Sequence, residues 1–247
     1  MSAATRAQVR RQPDLAGTVA ALDWERIEAS LDAHGSAVMS SVLPAEDCLA
    51  LAATYDSDGH FRSRVVMARH GFGRGEYKYF GNPLPKVVAE LRSATYPRLA
   101  GLANRWNLAM AVDVRYPDDH AEFLDRCHRA GQTKPTPLLL RYDEGDFNCL
   151  HQDLYGPNVF PLQVAFLLSV PGRDFSGGEF VLTEQRPRMQ SRAEVVSLEQ
   201  GDGVIFPVYQ RPVRGARGSY RVNLRHGVSR LRSGRRHTLG IIFHDAE

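Results

Sequence analysis

The stretch RYDEGDFNCLHQD, Arg141 to Asp153, decides how this chain is read. It completes an apolar run, Leu138 to Tyr142, turns at Gly145, and enters a second extended segment that ends in His151-Gln152-Asp153. On a strand, residues two apart project to one face, so an imidazole and a carboxylate at this spacing can reach a single ion. With nine histidines in 247 residues, one such spacing carries little weight alone. A solvated strand with polar residues explains it equally well, so the surroundings have to choose.

Downstream, short apolar runs alternate with Gly, Pro and Asp turns. They are Leu162 to Val170, Glu179 to Thr183, Glu194 to Leu198, Gly203 to Pro207, Tyr220 to His226 and His237 to His244. Strands this short, at this spacing, predict a sandwich or barrel. Phe175-Ser176-Gly177-Gly178-Glu179-Phe180 and Gly201-Asp202-Gly203-Val204-Ile205-Phe206 are tight turns feeding two of them. Upstream the signals are helical. Asp23 caps a helix with Trp24, Ile27 and Leu31 on one face and Gly35 at its end. Ala37 to Leu43 suits a strand, and Pro44 opens a second helix. Further helices are predicted at Pro85 to Ala94, Tyr96 to Trp106 and Asp118 to Ala130, with Gly131 as the stop. Helices first and strands afterwards give an α+β chain, a double-stranded β-helix (jelly roll) braced by N-terminal helices.

One domain accounts for the length. Residues 1–20 read as a flexible tail carrying Arg6, Arg10 and Arg11. Residues 21–136 read as helical support with a substrate lid, and 137–247 as the jelly-roll core. Hydrophobic residues make up 43% and charged residues 24%, and no apolar run is long enough to span a membrane. No apolar segment follows the basic N-terminus, so it is not a secretory signal. Cys48, Cys127 and Cys149 are odd in number and form no CxxC pair, which argues against disulfides and structural zinc and for a reducing cytoplasm. Cys149, two residues before His151, reads as a packed core residue. Net charge is only +3, but lysine occurs just three times, so arginine supplies nearly all the positive charge. Its planar fork suits carboxylates and phosphates.

A third ligand completes the first two. His226 follows the alternation of Tyr220, Val222 and Leu224. Two imidazoles and one carboxylate on one side of a metal leave the opposite positions open, which suits non-haem Fe(II) holding a co-substrate and O2. Arg236 lies ten residues further on, with Thr238 two beyond it. A buried arginine needs an anion, and the far carboxylate of a dicarboxylate can bond both the guanidinium and the hydroxyl. A register shift of one would make Arg235 the anchor instead.

These residues, in this order, resemble the Fe(II)/2-oxoglutarate-dependent dioxygenases, specifically from Leu138 to Thr238. The resemblance implies that His151, Asp153 and His226 bind Fe(II), and that Arg236, Thr238 and Tyr142 bind 2-oxoglutarate. It also implies that O2 is consumed to hydroxylate an unactivated C–H bond, with succinate and CO2 as co-products. The protein would supply ligand geometry, a dry pocket and co-substrate orientation.

RYDEGDFNCLHQD is similar to the matching stretch of AlkB-type nucleic-acid demethylases and of related prokaryotic nucleic-acid oxygenases. In those enzymes a hydroxylated N-methyl group leaves as formaldehyde. The chain departs from that pattern at Leu140, where the family has asparagine, and at Ile242, where it has a second arginine. The two Gly-rich turns look more like prolyl hydroxylases. The segment His60 to Pro85 is the expected lid. Arg62, Arg64, Arg74 and Lys78 interleave there with Tyr77 and Tyr79, which suits phosphates and stacked bases in a single strand or around a flipped base. A solvated hairpin with its aromatics facing the core is the plainer account. Three functions therefore compete: oxidative demethylation of alkylated nucleic-acid bases, hydroxylation of a protein side chain or small molecule, and a catalytically silent jelly-roll binding module. No membrane association and no obligate protein partner are implied.

Overall fold

A computed structural model describes residues 14–154, 156–216 and 218–247. In chain order the elements are α1 (Leu15–Ala20), α2 (Trp24–His34), β1 (Ala37–Met39), α3 (Ala45–Ala53), β2 (Phe61–Val66), β3 (Gly73–Arg74), β4 (Glu76–Phe80), α4 (Lys86–Ala109) and α5 (His120–Arg129). Ten strands follow: β5 (Leu138–Asp143), β6 (Phe147–His151), β7 (Leu162–Leu167), β8 (Phe175–Gly177), β9 (Phe180–Gln185), β10 (Arg192–Val196), β11 (Gly203–Pro207), β12 (Gln210–Gly215), β13 (Gly218–Val228) and β14 (Leu231–Ile241).

The helical starts are chemically specified. Asp14 and Asp23 accept backbone N–H bonds from Gly17 and Arg26 at the starts of α1 and α2, and Gly35 ends α2 in the left-handed conformation that a glycine tolerates. α1 corrects the expected tail of residues 1–20: Leu15 and Val19 are buried, so packed structure begins by Leu15. Arg6, Arg10 and Arg11 lie outside the described residues. The strand expected to reach Leu43 stops at Met39. Beyond it the chain turns toward the Gly201-Asp202-Gly203 corner, where Asp202 Oδ1 accepts Ser41 N at 2.7 Å and Gly201 O accepts the N–H groups of Val42 and Leu43. The two helices expected at Pro85 to Ala94 and Tyr96 to Trp106 are one helix, α4, with Pro97 inside it. Its buried face runs unbroken from Val88 and Leu91 to Leu102 and Trp106, and that burial outweighs the bond lost at proline.

The strands form two antiparallel sheets. The larger has the order β1-β11-β7-β14-β5-β4-β2, with β8 paired to β14. The smaller has the order β10-β9-β13-β6-β3, with β12 paired to β13. One apolar cluster joins the helices to the larger sheet through Tyr96, Phe123, Phe160 and Phe243, whose rings are 4.9–6.0 Å apart. A second cluster, including Tyr142, Phe180, Leu182, Phe206 and Leu231, fills the space between the sheets. This is the predicted jelly roll with its helical brace.

The segment from His60 to Pro85, the expected lid, is built into the sheets. β2 and β4 extend the larger sheet beyond β5, and β3 pairs with β6. Alternation along β4 buries Glu76, Lys78 and Phe80 on the face opposite Tyr77 and Tyr79. The antiparallel pairing of β2 with β4 is the hairpin that the plainer account of this segment expected.

Candidate metal centre and co-substrate pocket

Strand pairing assembles the site. His226 on β13 sits directly opposite His151 on β6, and Asp153 follows two residues later. One ligand atom from each of the three lies within 4.8 Å of the other two. His151 Nε2 is 3.4 Å from Asp153 Oδ1, and His226 Nε2 is 3.3 Å from Asp153 Oδ2. His151 Nδ1 lies 2.8 Å from its own strand's Cys149 carbonyl, which turns Nε2 toward the other two groups. Cys149 itself is exposed and does not pack in the core as expected. Burial would push the Asp153 carboxyl up, but the bonds and charges of His151 and His226 hold it well below the ordinary carboxylate range. Burial also pushes the His226 imidazole down. His151 moves the other way: burial pushes its imidazole down, but the bond and charge of Asp153 outweigh this and raise it, so a metal taken up here would displace a proton.

A residue that spacing gave no means of finding completes this centre. Gln163, on β7 of the opposite sheet and 4% exposed, donates from Nε2 to Asp153 Oδ2 at 2.7 Å. Its signal in sequence was a polar residue inside the apolar run LQVAFL, which is weak without the fold.

The cavity above the triad measures about 270 Å³. Arg236, Thr238 and Tyr142 line its far side, while Phe72, Tyr77, Tyr79, Phe180 and Phe206 supply aromatic walls. Arg236 is 2% exposed; its Nη1 donates to Thr238 Oγ1 at 2.6 Å, and its guanidinium lies 5.7 Å from the Tyr142 ring centre. Burial pushes its pKa down to about 10, so it stays charged at neutral pH. It pairs with no carboxylate among the described residues, and its Nε and the Tyr142 hydroxyl are buried without hydrogen-bond partners there. Such a charge is stable only against an incoming anion. Gly178 makes room for it: φ is +65°, and a Cβ there would lie 3.1 Å from Arg236 Cδ and 2.2 Å from Leu231 Cδ1. Arg235 points the other way and pairs with Asp143 at 2.6 Å, so the register leaves Arg236 as the pocket arginine.

The basic residues of the expected lid are not brought to this cavity as a group. Lys78 is buried on the opposite face, bonded to Tyr55 O and Asp58. Arg64 pairs with Glu76. Arg62 donates to Pro135 O and lies over the Tyr79 ring. Arg74 is exposed, 3.6 Å from Asp146. Only Tyr77 and Tyr79 of the set line the pocket.

Residues 75–246 match the family model Oxygenase-NA, described as "Oxygenase, catalysing oxidative methylation of damaged DNA". The chain belongs to this family. Two Mycobacterium tuberculosis proteins, both described as uncharacterized, are each 45% identical over 189 residues, covering 76% of this chain and 78% of theirs. Among solved structures, a Trichoplax adhaerens prolyl hydroxylase in complex with a hypoxia inducible factor peptide superposes with a TM-score of 0.58 at 13% identity, covering 94% of this chain and 92% of that one. A Pseudomonas putida prolyl-4-hydroxylase gives 0.53 at 17%, covering 91% and 99%. A 2OG-Fe(II) oxygenase from Burkholderia pseudomallei gives 0.50 at 17%, covering 92% and 94%. These likenesses confirm the jelly-roll fold. The protein is an oxygenase by family, and His151, Asp153 and His226 form a group that could hold a metal ion. Among the described residues no helix is long and apolar enough to cross a membrane.

Proposed function

We propose that this Oxygenase-NA family member is a single-domain dioxygenase that removes methyl groups from alkylated nucleic-acid bases. His151, Asp153 and His226 hold Fe(II), and Arg236 with Thr238 and Tyr142 holds the distal carboxylate of 2-oxoglutarate. The observation that carries the co-substrate assignment is the buried guanidinium of Arg236, which pairs with no acid in the described residues. A dicarboxylate that reaches from the triad to Arg236 satisfies it with a charge-assisted, bidentate contact. Bound Fe(II), with 2-oxoglutarate and O2, supplies the oxidation that places a hydroxyl on a C–H bond. The chain orients the co-substrate through Arg236 and Thr238, fixes the carboxylate ligand through Gln163, and excludes water with Phe180 and Phe206.

The nucleic-acid reading draws on the family description and on the walls of the cavity. Phe72 is 46% exposed at the pocket, and Tyr77 and Tyr79 stand edge to face with ring centres 5.4 Å apart. Aromatic faces at a cavity mouth suit a planar base taken out of its stack. A hydroxylated N-methyl group then falls away as formaldehyde. Hydroxylation of a protein side chain shares the fold but has no such observation behind it, and the intact triad with its anion anchor argues against a silent module. The deciding measurement is formaldehyde release from methylated oligonucleotides in the presence of Fe(II) and 2-oxoglutarate. Succinate formation that ignores methylated oligonucleotides, but rises with a peptide, would replace this reading with the hydroxylase one.

A further inference from the structure

A strand that delivers a base to the pocket needs cationic contacts for its phosphates; in the segment from His60 to Pro85, Arg64 and Arg74 are each held beside an acid and Lys78 is buried. The outward face of the smaller sheet offers such contacts. Along β13, Val222, Leu224 and His226 are buried, so Arg221, Asn223 and Arg225 face outward and are exposed. Thr183 of β9 is Arg225's partner across the ladder, and Gln185 is Asn223's. The single carboxylate of β6, β9, β12 and β13 is Glu184, which is turned inward, 5% exposed, and paired with Arg211 and Arg186. The outward face of these strands therefore carries arginine and neutral hydrogen-bonding groups with no acid among them.

This face is not flat. A cavity of about 520 Å³ opens on it, lined by Leu150, Gln152, Thr183, Gln185, Asn223 and Arg225. Gln152, the residue between His151 and Asp153, lines both cavities, and its Nε2 donates to Leu224 O at 2.8 Å. Arg225 forms no ion pair with any described residue, and Leu150 is 43% exposed. The Gln185 amide is bonded to Arg186 O, Met189 O and Ser191, and Asn223 Oδ1 accepts from Gln210. An unpaired guanidinium beside an exposed apolar side chain matches a phosphodiester and a sugar or base face.

We propose that this second cavity binds a nucleotide flanking the target base in single-stranded nucleic acid, with Arg225 on its phosphate. The proposal rests on the nucleic-acid reading above and adds where the strand lies: across the outward face of β9 and β13, entering the catalytic pocket past Gln152. Arg221, four residues along β13 and roughly 14 Å away, is held by the Met110 carbonyl and adds positive charge to the same face.

The test is fluorescence anisotropy of a short labelled oligothymidylate with the full chain across a salt series. Arg225→Glu is expected to weaken binding about tenfold or more and to lower the salt slope by about one. Arg225→Lys is expected to recover most of the loss. Asn223→Asp, which puts a negative charge in the same cavity and keeps the oxygen that accepts from Gln210 Nε2, is expected to weaken binding in the same direction even if Arg225→Glu folds poorly. Affinity for Mn(II) and 2-oxoglutarate should stay at the wild-type level in all three. Wild-type affinity and slope in both acidic variants would overturn the proposed site while leaving demethylation intact. A wild-type protein that neither binds nor demethylates oligonucleotides would overturn the function reading and this site with it.

Discussion

Gln163 Nε2 donates a 2.7 Å hydrogen bond to Asp153 Oδ2, across from one sheet to the other. It lies 3.4 Å from His226 Nε2 as well, so one carboxamide touches two of the three candidate ligands. A neutral donor on a ligating carboxylate fixes its orientation without neutralising its charge. Gln163→Leu should therefore lower Mn(II) affinity about ten- to a hundredfold, the range typical of groups that orient metal ligands. Titration by electron paramagnetic resonance reads this directly, and wild-type affinity in the variant would remove Gln163 from the centre.

Arg236→Ala should raise the 2-oxoglutarate requirement. A charge-assisted bond contributes about 1.5–3 kcal/mol, or roughly ten- to a hundredfold in affinity. Mn(II) binding should change little. Arg235→Ala, which removes an exposed pair with Asp143, should leave 2-oxoglutarate binding as it was. Calorimetric titration of both variants checks the register that separates them.

Alanine at His151, Asp153 or His226 should abolish turnover, and a second measurement guards against loss of fold. In the wild-type protein, Mn(II) at a hundred times its Kd should stabilise the folded state by about 2.7 kcal/mol. That corresponds to a Tm shift of about 5–10 °C for a chain of this size, and a chelator should reverse it. The alanine variants should fold without showing the shift. A full shift in any one of them would take that residue out of the ligand set.

His120 and His244 predict a pH-dependent stability away from the site. Burial, reinforced by the nearby Arg92 charge, pushes both rings down to about 4 from the ordinary 6.5. Between those values the unfolded chain binds protons that the folded chain refuses. Stability should be full above about pH 6.5 and fall as the pH drops toward 4, by up to about 3 kcal/mol per ring. Urea unfolding across that interval should show the decline, and His244→Gln or His120→Gln should shrink it.

The amino-acid sequence alone specified the periodicities and the chemistry of isolated groups. The Asp23 cap and Gly35 stop, the Gly203–Pro207 strand and the jelly-roll order were legible because each is set by residues close together in the chain. The pair His151 and Asp153 was legible because i, i+2 residues on a strand share a face whatever the strand packs against; His226 joined them through its place in the family pattern, and the pairing of β13 with β6 brought it opposite His151. What tertiary structure decided were relations across sheets and between faces. Gln163 met Asp153 because β7 lies opposite β6 in space, a fact with no local signature. Arg236 rather than Arg235 entered the pocket because the pairing of β14 with β5 fixed the register, and a shift of one would have exchanged them. Lys78 turned away from the cavity that Tyr77 and Tyr79 line because alternation on β4 puts neighbours on opposite faces, and which face looks inward is set by what packs there.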